Sequence, residues 1–185
     1  MLLAIDTSGP VLAIALFDGE RRIAEFQEEI GRGHAERLLS AIRDLLNDSN
    51  AKPSALSRIA VVVGPGSFMG LRVGIATARS MALGLGIEAV GVSRMQALAA
   101  TQGSATVRLD ARRGHVFVQD FVDGAPAGPL RLEPCEDVPA LPPVEVARIA
   151  QLARAHPLPA KPIYGRGADA KPQQGREIAP TPQRS

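Results

Sequence analysis

The end of the first apolar segment carries residue types that can hold a phosphate group and a divalent cation. Asp6 and the hydroxyls of Thr7 and Ser8 precede Gly9. A carboxylate and hydroxyls at the end of a strand can contact Mg²⁺ and the phosphates of a nucleotide. The same residues also form Asx and hydroxyl turns that stabilise their own backbone. Taken alone, the motif favours the turn, and Asp6 and Ser8 stay as minor candidates for cofactor binding.

A glycine-rich loop is the second candidate for phosphate binding. Residues 64–70 read GPGSFMG and lie between an apolar strand and a long helix, whose N-terminal N–H groups can bind anions. The loop is not the dinucleotide fingerprint, because its third glycine comes one residue late, and it lacks the Lys-Ser/Thr end of a P-loop. The spacing therefore favours a tight turn in which Ser67 caps the helix. Gly66 and Ser67 stay as minor phosphate-binding candidates.

Other catalytic arrangements have little support in the sequence. The three histidines, His34, His115 and His156, have no partner four residues away and no cysteine or carboxylate at ligand spacing. No zinc or iron site is therefore predicted. Cys135 is the single cysteine and lies among acidic residues, which disfavour its thiolate form. The sequence predicts no catalytic residue and no bound metal.

Length and composition predict a cytoplasmic globular protein. The chain has 185 residues, 45% of them hydrophobic, and no apolar run approaches the roughly 20 residues of a membrane span. A start without a basic region and a single cysteine fit a reducing cytoplasm. The pI is about 9.1, but residues 1–100 balance ten basic against ten acidic side chains. With aromatic residues at 3%, direct RNA binding by the folded part is disfavoured.

The elements that must position these residues form an α/β lobe with a mixed sheet, as judged from hydrophobic periodicity and turn residues. Strands are predicted at 2–8, 11–17, 22–29, 58–63 and 88–92, and helices at 34–47, 68–86 and from Ser93 to about 100. Beyond a boundary near 103, strands at 105–109 and 115–122 and a helix at 144–156 form a second lobe. The predicted domains are 1–103, 104–164 and a flexible tail, 165–185, rich in Pro, Gly and Gln.

The long helix has small residues at every fourth position: Gly70, Gly74, Ala78, Ala82 and Gly86. Glycine inside a helix costs roughly 1 kcal/mol relative to alanine. Such a stripe is typical of a helix that another backbone approaches closely. Because positions four apart drift by about 40° around a helix, the stripe can be divided between the lobe's own sheet and a partner.

Together these segments resemble the bacterial TsaB (YeaZ-like) family of tRNA threonylcarbamoyladenosine biosynthesis. The resemblance is carried by LLAIDTS (2–8), HAERLL (34–39), GPGSFMGLRVGIATARSMALGLG (64–86), VGVSRMQALA (90–99), LDARRGHVFVQ (109–119) and PIYGRGADA (162–170). It covers nearly the whole chain, and the block at 64–86 is highly specific.

The resemblance implies a two-lobed actin/hexokinase/Hsp70-like (ASKHA) fold and a non-catalytic role. Family members are partners of TsaD, the related subunit that transfers a threonylcarbamoyl group to the adenosine beside the tRNA anticodon, and the ATPase TsaE joins the assembly. ATP and metal are expected on the partner subunits, and tRNA is contacted through the complex. TsaD-type chains carry a His-x-x-x-His metal pair where this chain has Arg94 and Leu98, neither of which can replace an imidazole ligand.

An interface with TsaD on the helices at 34–47 and 68–86 is also implied. Its candidate residues are His34, Leu38, Gly70, Arg72, Gly74, Ala78 and Ala82. Without TsaD the same surface suits a homodimer, because a two-fold axis lets one patch serve both subunits. Three departures from the family stand out: Met69 replaces the usual Thr, the second lobe is shortened between 132 and 162, and Gly165 and Gly167 loosen the terminal segment.

The sequence leaves one alternative open, an ATP-dependent phosphotransferase of the same fold that uses Asp6 and the glycine loop. Such an enzyme needs phosphate contacts from the second lobe and an adenosine pocket, and neither a Gly-Gly turn nor an acidic pair is visible there. A metallopeptidase is disfavoured because the ligands for a metal are missing.

Overall fold

A computed structural model describes residues 1–31, 33–99, 103–137 and 143–164, which form two β-sheets and four α-helices. The strands of the first sheet are β1 (Leu2–Asp6), β2 (Val11–Asp18), β3 (Arg21–Glu29), β4 (Arg58–Gly64), β5 (Glu88–Ser93) and β10 (Leu158–Pro159). They lie in the order β10-β5-β4-β1-β2-β3. The predicted tail, 165–185, lies outside the described residues.

The second sheet contains β6 (Ser104–Asp110), β7 (His115–Val122), β8 (Ala125–Pro126) and β9 (Arg131–Pro134), with β7 pairing with the other three. The helices are α1 (His34–Asp48), α2 (Phe68–Leu85), α3 (Arg94–Leu98) and α4 (Val146–Ala155). A short 3₁₀ helix, Pro53–Ala55, precedes β4. Among the helices of the described ranges, none combines the length and apolar character that a bilayer span requires.

The mixed sheet predicted from the sequence is confirmed. β1 pairs antiparallel with β2 and parallel with β4, which places the ends of β1 and β4 at the same edge of the sheet. Side chains of a strand alternate between the two faces. Leu3 and Ile5 therefore join the core beneath α1 and α2, and Leu2 and Ala4 join the core beneath α4.

The second sheet has a smaller core that α3 connects to the first sheet. Met95 of α3 and Ala99 pack with Leu109, Phe117 and Phe121, all of which are buried. The amide of Gln96 also donates a hydrogen bond of 3.3 Å to the carbonyl of Gly124 in the turn between β7 and β8. The short helix α3 is therefore shared between the two sheets.

The end of the described chain belongs to the first sheet. The sequence placed residues 104–164 together in a second lobe, but α4 packs on β1, β2, β4 and β5, and β10 pairs with β5. Val146 and Ile149 of α4 are buried against the face of the first sheet that lies opposite α1 and α2. A sheet in a folded domain buries its apolar faces against other elements, and α4 covers this one. The second sheet thus comprises residues 104–134, and the chain returns to the first lobe afterwards.

Candidate functional site

The turn after β1 is closed by hydrogen bonds among its own groups. Oδ1 of Asp6 accepts a hydrogen bond of 2.7 Å from the backbone N–H of Ser8 and one of 2.5 Å from the Ser8 hydroxyl. Asp6 is only 4% exposed, and Ser8 is fully buried. The turn therefore has the self-stabilising geometry that its sequence favours.

Arg94, the first residue of α3, places a buried positive charge against this turn. Its Nη1 donates a hydrogen bond of 2.7 Å to the Ser8 hydroxyl, and a Cβ on Gly9 would lie 2.9 Å from the same nitrogen. Burial lowers the pKa of the Arg94 guanidinium, and the negative charge of Asp6 opposes that effect. Because arginine stays protonated at neutral pH, Arg94 and Asp6 compensate each other's charge inside the molecule.

The glycine loop is held against the same turn. The N–H of Ser67 donates a hydrogen bond of 2.8 Å to the carbonyl of Ser8. The hydroxyl of Ser67 accepts one of 3.3 Å from the N–H of Gly70, which confirms Ser67 as the N-cap of α2. A Cβ on Gly66 would lie 2.5 Å from the Ser8 carbonyl oxygen. The structure thus brings Asp6, Ser8, Gly66 and Ser67 together, and they contact one another.

The cavity beside this cluster is small. Its volume is about 50 Å³, and its lining includes Asp6, Gly9, Gln27, Arg94 and Val144. Cofactor pockets usually measure about 300–1,000 Å³, whereas one water molecule occupies about 30 Å³. The space between turn and arginine therefore suits a water molecule or two. Within the described ranges, no group of three or more His, Cys, Asp or Glu side chains is placed to bind a metal.

Gly70 and Gly74, predicted at a partner interface, lie against the turn that follows β1 of the same chain. A Cβ on Gly70 would lie 1.9 Å from the carbonyl oxygen of Thr7, and one on Gly74 would lie 2.3 Å from the Thr7 hydroxyl oxygen. The Thr7 hydroxyl also donates a hydrogen bond of 2.7 Å to the carbonyl of Gly70. The backbone that approaches this helix closely is therefore that of β1 and its turn.

Three further predicted interface residues belong to the same internal core. Leu38 and Ala78 are fully buried, and Ala82 is 3% exposed. His34 is 7% exposed. The chain's own fold buries these side chains and the two glycines, and their contact with a partner stays a prediction. Arg72 is the member of the predicted set that is exposed.

The outward faces of α1 and α2 carry large exposed apolar side chains. Leu39 is 59% exposed, Met69 is 65% exposed and Leu83 is 85% exposed. At the start of α2, the guanidinium of Arg72 lies 4.0 Å from the ring centre of Phe68, and its Nε donates a hydrogen bond of 3.2 Å to the Tyr164 hydroxyl. Large exposed apolar side chains thus lie on the two helices where the interface was predicted, but they are not residues of the predicted interface set.

The contacts made by two residues with central roles in this cluster could not be predicted from the sequence. The sequence places Thr7 in the turn after β1, and only the structure shows its contact with Gly70 and Gly74 of α2. The sequence identifies Arg94 only as a residue that cannot bind a metal. Its contact with the turn could not be predicted, because its hydrogen-bond partner Ser8 lies 86 residues earlier. Such pairing depends on the fold, which places the start of α3 beside the end of β1.

Comparison with solved structures defines the class of the protein. YeaZ from Pseudomonas aeruginosa superimposes with a TM-score of 0.71 and 25% identity, over 88% of this chain and 98% of that one. The protein is a two-lobed α/β protein of the actin/hexokinase/Hsp70-like class, which confirms the predicted fold. A family model described as TsaD, tRNA N6-adenosine threonylcarbamoyltransferase, matches residues 26–131, more than half of the chain. The chain belongs to the TsaB (YeaZ) family, a relative of TsaD.

Sequence relatives agree with this assignment. The tRNA threonylcarbamoyladenosine biosynthesis protein TsaB of Bacillus subtilis is 40% identical over 120 residues, which cover 63% of this chain and 52% of that protein. The chain therefore spans about half the length of the named relative. An uncharacterized protein of Mycobacterium tuberculosis is 32% identical over 92% of this chain and 94% of its own length.

Proposed function

We propose that the chain is a non-catalytic scaffold or activating subunit of tRNA threonylcarbamoyladenosine biosynthesis, as the name of its Bacillus relative suggests. It pairs with a TsaD-type subunit in the cytoplasm, and a TsaE-like ATPase joins the pair. ATP and metal reside on those partners, and tRNA reaches the chain through the complex. In the absence of TsaD, the surface that contacts TsaD in this proposal supports a homodimer.

The exposed apolar face of α1 and α2 is the observation that carries this proposal. Leucine and methionine side chains are usually buried in folded chains, and several large exposed ones on neighbouring helices favour an interaction surface. Here Leu39, Met69 and Leu83 are each more than half exposed on two adjacent helices. Complete burial of such a side chain is worth at most about 1.5–3 kcal/mol, so these residues would contribute part of the free energy of association.

The buried charge pair supports the non-catalytic part of the proposal. A phosphotransferase would use the carboxylate of Asp6 to hold a metal–phosphate group, but Ser8 and Arg94 lie against that carboxylate. The alternative of an ATP-dependent enzyme predicts that ATP with Mg²⁺ raises the Tm of the isolated chain. We expect no such shift, and a saturable rise in Tm would favour the alternative.

Light scattering after size-exclusion chromatography tests the pairing. The wild-type chain should form a species of summed mass with the TsaD-type subunit of the same organism. Leu39→Glu/Leu83→Glu should abolish that species, because each substitution places a charge on the apolar face. Val122→Glu is the matched control, since Val122 is 48% exposed on the second sheet.

Two outcomes would contradict the proposal. A wild-type chain that never elutes with the TsaD-type subunit would remove the pairing itself. A double variant that pairs as well as the Val122→Glu control would show that the face of α1 and α2 is not the contact surface. Circular dichroism of each variant separates loss of pairing from loss of fold.

A further inference from the structure

A groove of about 920 Å³ lies along the side of α2 that faces the sheet edge at β10. One wall is α2, with Ile75 and Leu83 among its residues, and the other wall is the segment 159–162. That second wall is fixed by the backbone, because the N–H of Ile163 donates a hydrogen bond of 2.7 Å to the carbonyl of Val63. A Cβ on Gly91 would also lie 2.5 Å from the carbonyl oxygen of Pro159.

The charged residues that line this groove are all basic. Arg72 and Arg79 lie on α2, and Lys161 lies on the opposite wall. All three are exposed, and none of the described residues that line the groove is an Asp or Glu. Arg72 is oriented by Phe68 and the Tyr164 hydroxyl. Arg79 and Lys161 form no ion pair with any residue in the described part of the chain. Among the residues that the structure describes, none neutralises the positive charge of Arg79 and Lys161 in the groove.

The remaining lining is aliphatic except for Ser80. It includes Ile75, Ala82, Ile87, Ala89 and Pro162. Sites for single-stranded RNA combine positive charge with aromatic rings on which bases stack, and within the described ranges no aromatic side chain lines the groove. The nearest rings, Phe68 and Tyr164, lie 5.0 Å apart and contact each other and Arg72. An aliphatic floor between cations instead fits a peptide with apolar and acidic side chains.

We propose that this groove binds an acidic amphipathic segment of the TsaD-type partner, which rests on the function proposed above. Arg72 and Arg79 are seven residues apart, which places them about 10 Å apart along the helix axis. A matching segment carries carboxylates at that separation, seven residues apart on a helix, with apolar residues between them. Charge complementarity of this kind determines orientation and the rate of association.

Affinity for the TsaD-type subunit, measured by isothermal titration calorimetry, tests the groove. Arg79→Glu/Lys161→Glu should weaken binding at least tenfold and reduce its dependence on salt. Arg21→Glu/Lys52→Glu is the matched control, because it reverses the same number of exposed charges without touching the groove lining. The control should bind within about threefold of the wild type. Both variants should keep the wild-type Tm, since all four side chains are exposed.

The outcomes separate the two proposals. If the wild type binds and the groove variant behaves like the control, the groove proposal is wrong while the pairing stands. If the wild type does not bind the TsaD-type subunit, the proposed pairing is wrong. Binding of a helical peptide then tests the groove by itself. The peptide carries two glutamates seven residues apart with leucines between them, and its counterpart carries lysines instead. Loss of glutamate-peptide binding in the groove variant supports the proposal, and absence of binding overturns it. Groove-dependent binding of an oligouridine RNA in preference to the peptide also overturns it.

Discussion

Replacing Gly74 with alanine tests whether α2 is held against the chain's own first strand. A Cβ at this position would lie 2.3 Å from the Thr7 hydroxyl oxygen and 3.3 Å from Cγ2 of Val61. Thr7 is fully buried, and its hydroxyl donates a hydrogen bond of 2.7 Å to the carbonyl of Gly70. The added methyl group therefore forces Thr7 to move and weakens a buried hydrogen bond.

The expected change in the free energy of unfolding is the sum of three contributions, one stabilising and two destabilising. Glycine to alanine in an unconstrained helix stabilises by roughly 1 kcal/mol. Overpacking costs about 1–3 kcal/mol, and a buried polar group without its partner costs about 1–3 kcal/mol. We expect a net loss of about 1–5 kcal/mol in the free energy of unfolding. For a chain of 185 residues, each kcal/mol shifts the Tm by about 2–4 °C, so Gly74→Ala should melt several degrees lower.

Gly84→Ala is the matched control in the same helix. Gly84 is exposed, and nothing lies within 4 Å of where its Cβ would be. This substitution should raise the free energy of unfolding by about 0.5–1 kcal/mol. Urea denaturation followed by circular dichroism gives both values under one condition. In a Thr7→Ala background the cost of Gly74→Ala should shrink, because the obstructing hydroxyl is gone.

Two results would refute this reasoning. If Gly74→Ala stabilised the chain as Gly84→Ala does, α2 could not lie in contact with Thr7. The glycine would then be free to serve a partner, as the sequence interpretation had it. If the cost were the same with and without Thr7→Ala, the hydroxyl would not be the obstacle, and Val61 would be the group that resists.

Two further predictions concern buried and exposed charge. Arg94→Met should lower the free energy of unfolding by about 3–5 kcal/mol, because it leaves the buried Asp6 charge without compensation. Adding Asp6→Asn should recover part of that loss in urea denaturation, and no recovery would show that packing dominates. Hydrogen bonds from Arg131, and also from Thr106, lower the pKa of Asp120, so NMR titration should place it below the ordinary value of about 3.9. Arg131→Gln should raise that pKa, and an unmoved value would contradict the pairing. Because the folded-state pKa is the lower one, this pairing stabilises the fold above the unfolded-state pKa and is lost as the pH falls through the folded-state value. Wild type and Arg131→Gln should therefore converge in stability in strong acid.

Local signals in the sequence were sufficient for most elements of the first lobe. Alternating apolar residues predicted β1 to β3, and Ser67 was predicted as the N-cap that the structure contains. The return of the chain to the first sheet was not predictable, because β10 has only two residues and therefore no periodicity to detect. The groove beside α2 escaped prediction for the same reason, since its second wall is formed by that return.

The small-residue stripe shows why the candidate interface could not be fixed from the sequence. Glycine and alanine at every fourth position indicate a close approach, but the same pattern serves a neighbouring strand or another subunit. The structure places Gly70 and Gly74 against Thr7, whereas Leu39 and Leu83 face outward. Which side of the helix is covered depends on where the sheet lies, and helical periodicity alone leaves that choice open.

Arg94 gives the two lobes a connection that requires no bound ligand. In two-lobed proteins that close on a ligand, contacts from the bound molecule hold the lobes together. Here the guanidinium of Arg94 reaches Ser8 in the first lobe, while the next two residues, Met95 and Gln96, contact the second. Three consecutive residues of one short helix therefore join both sheets through groups of the chain itself.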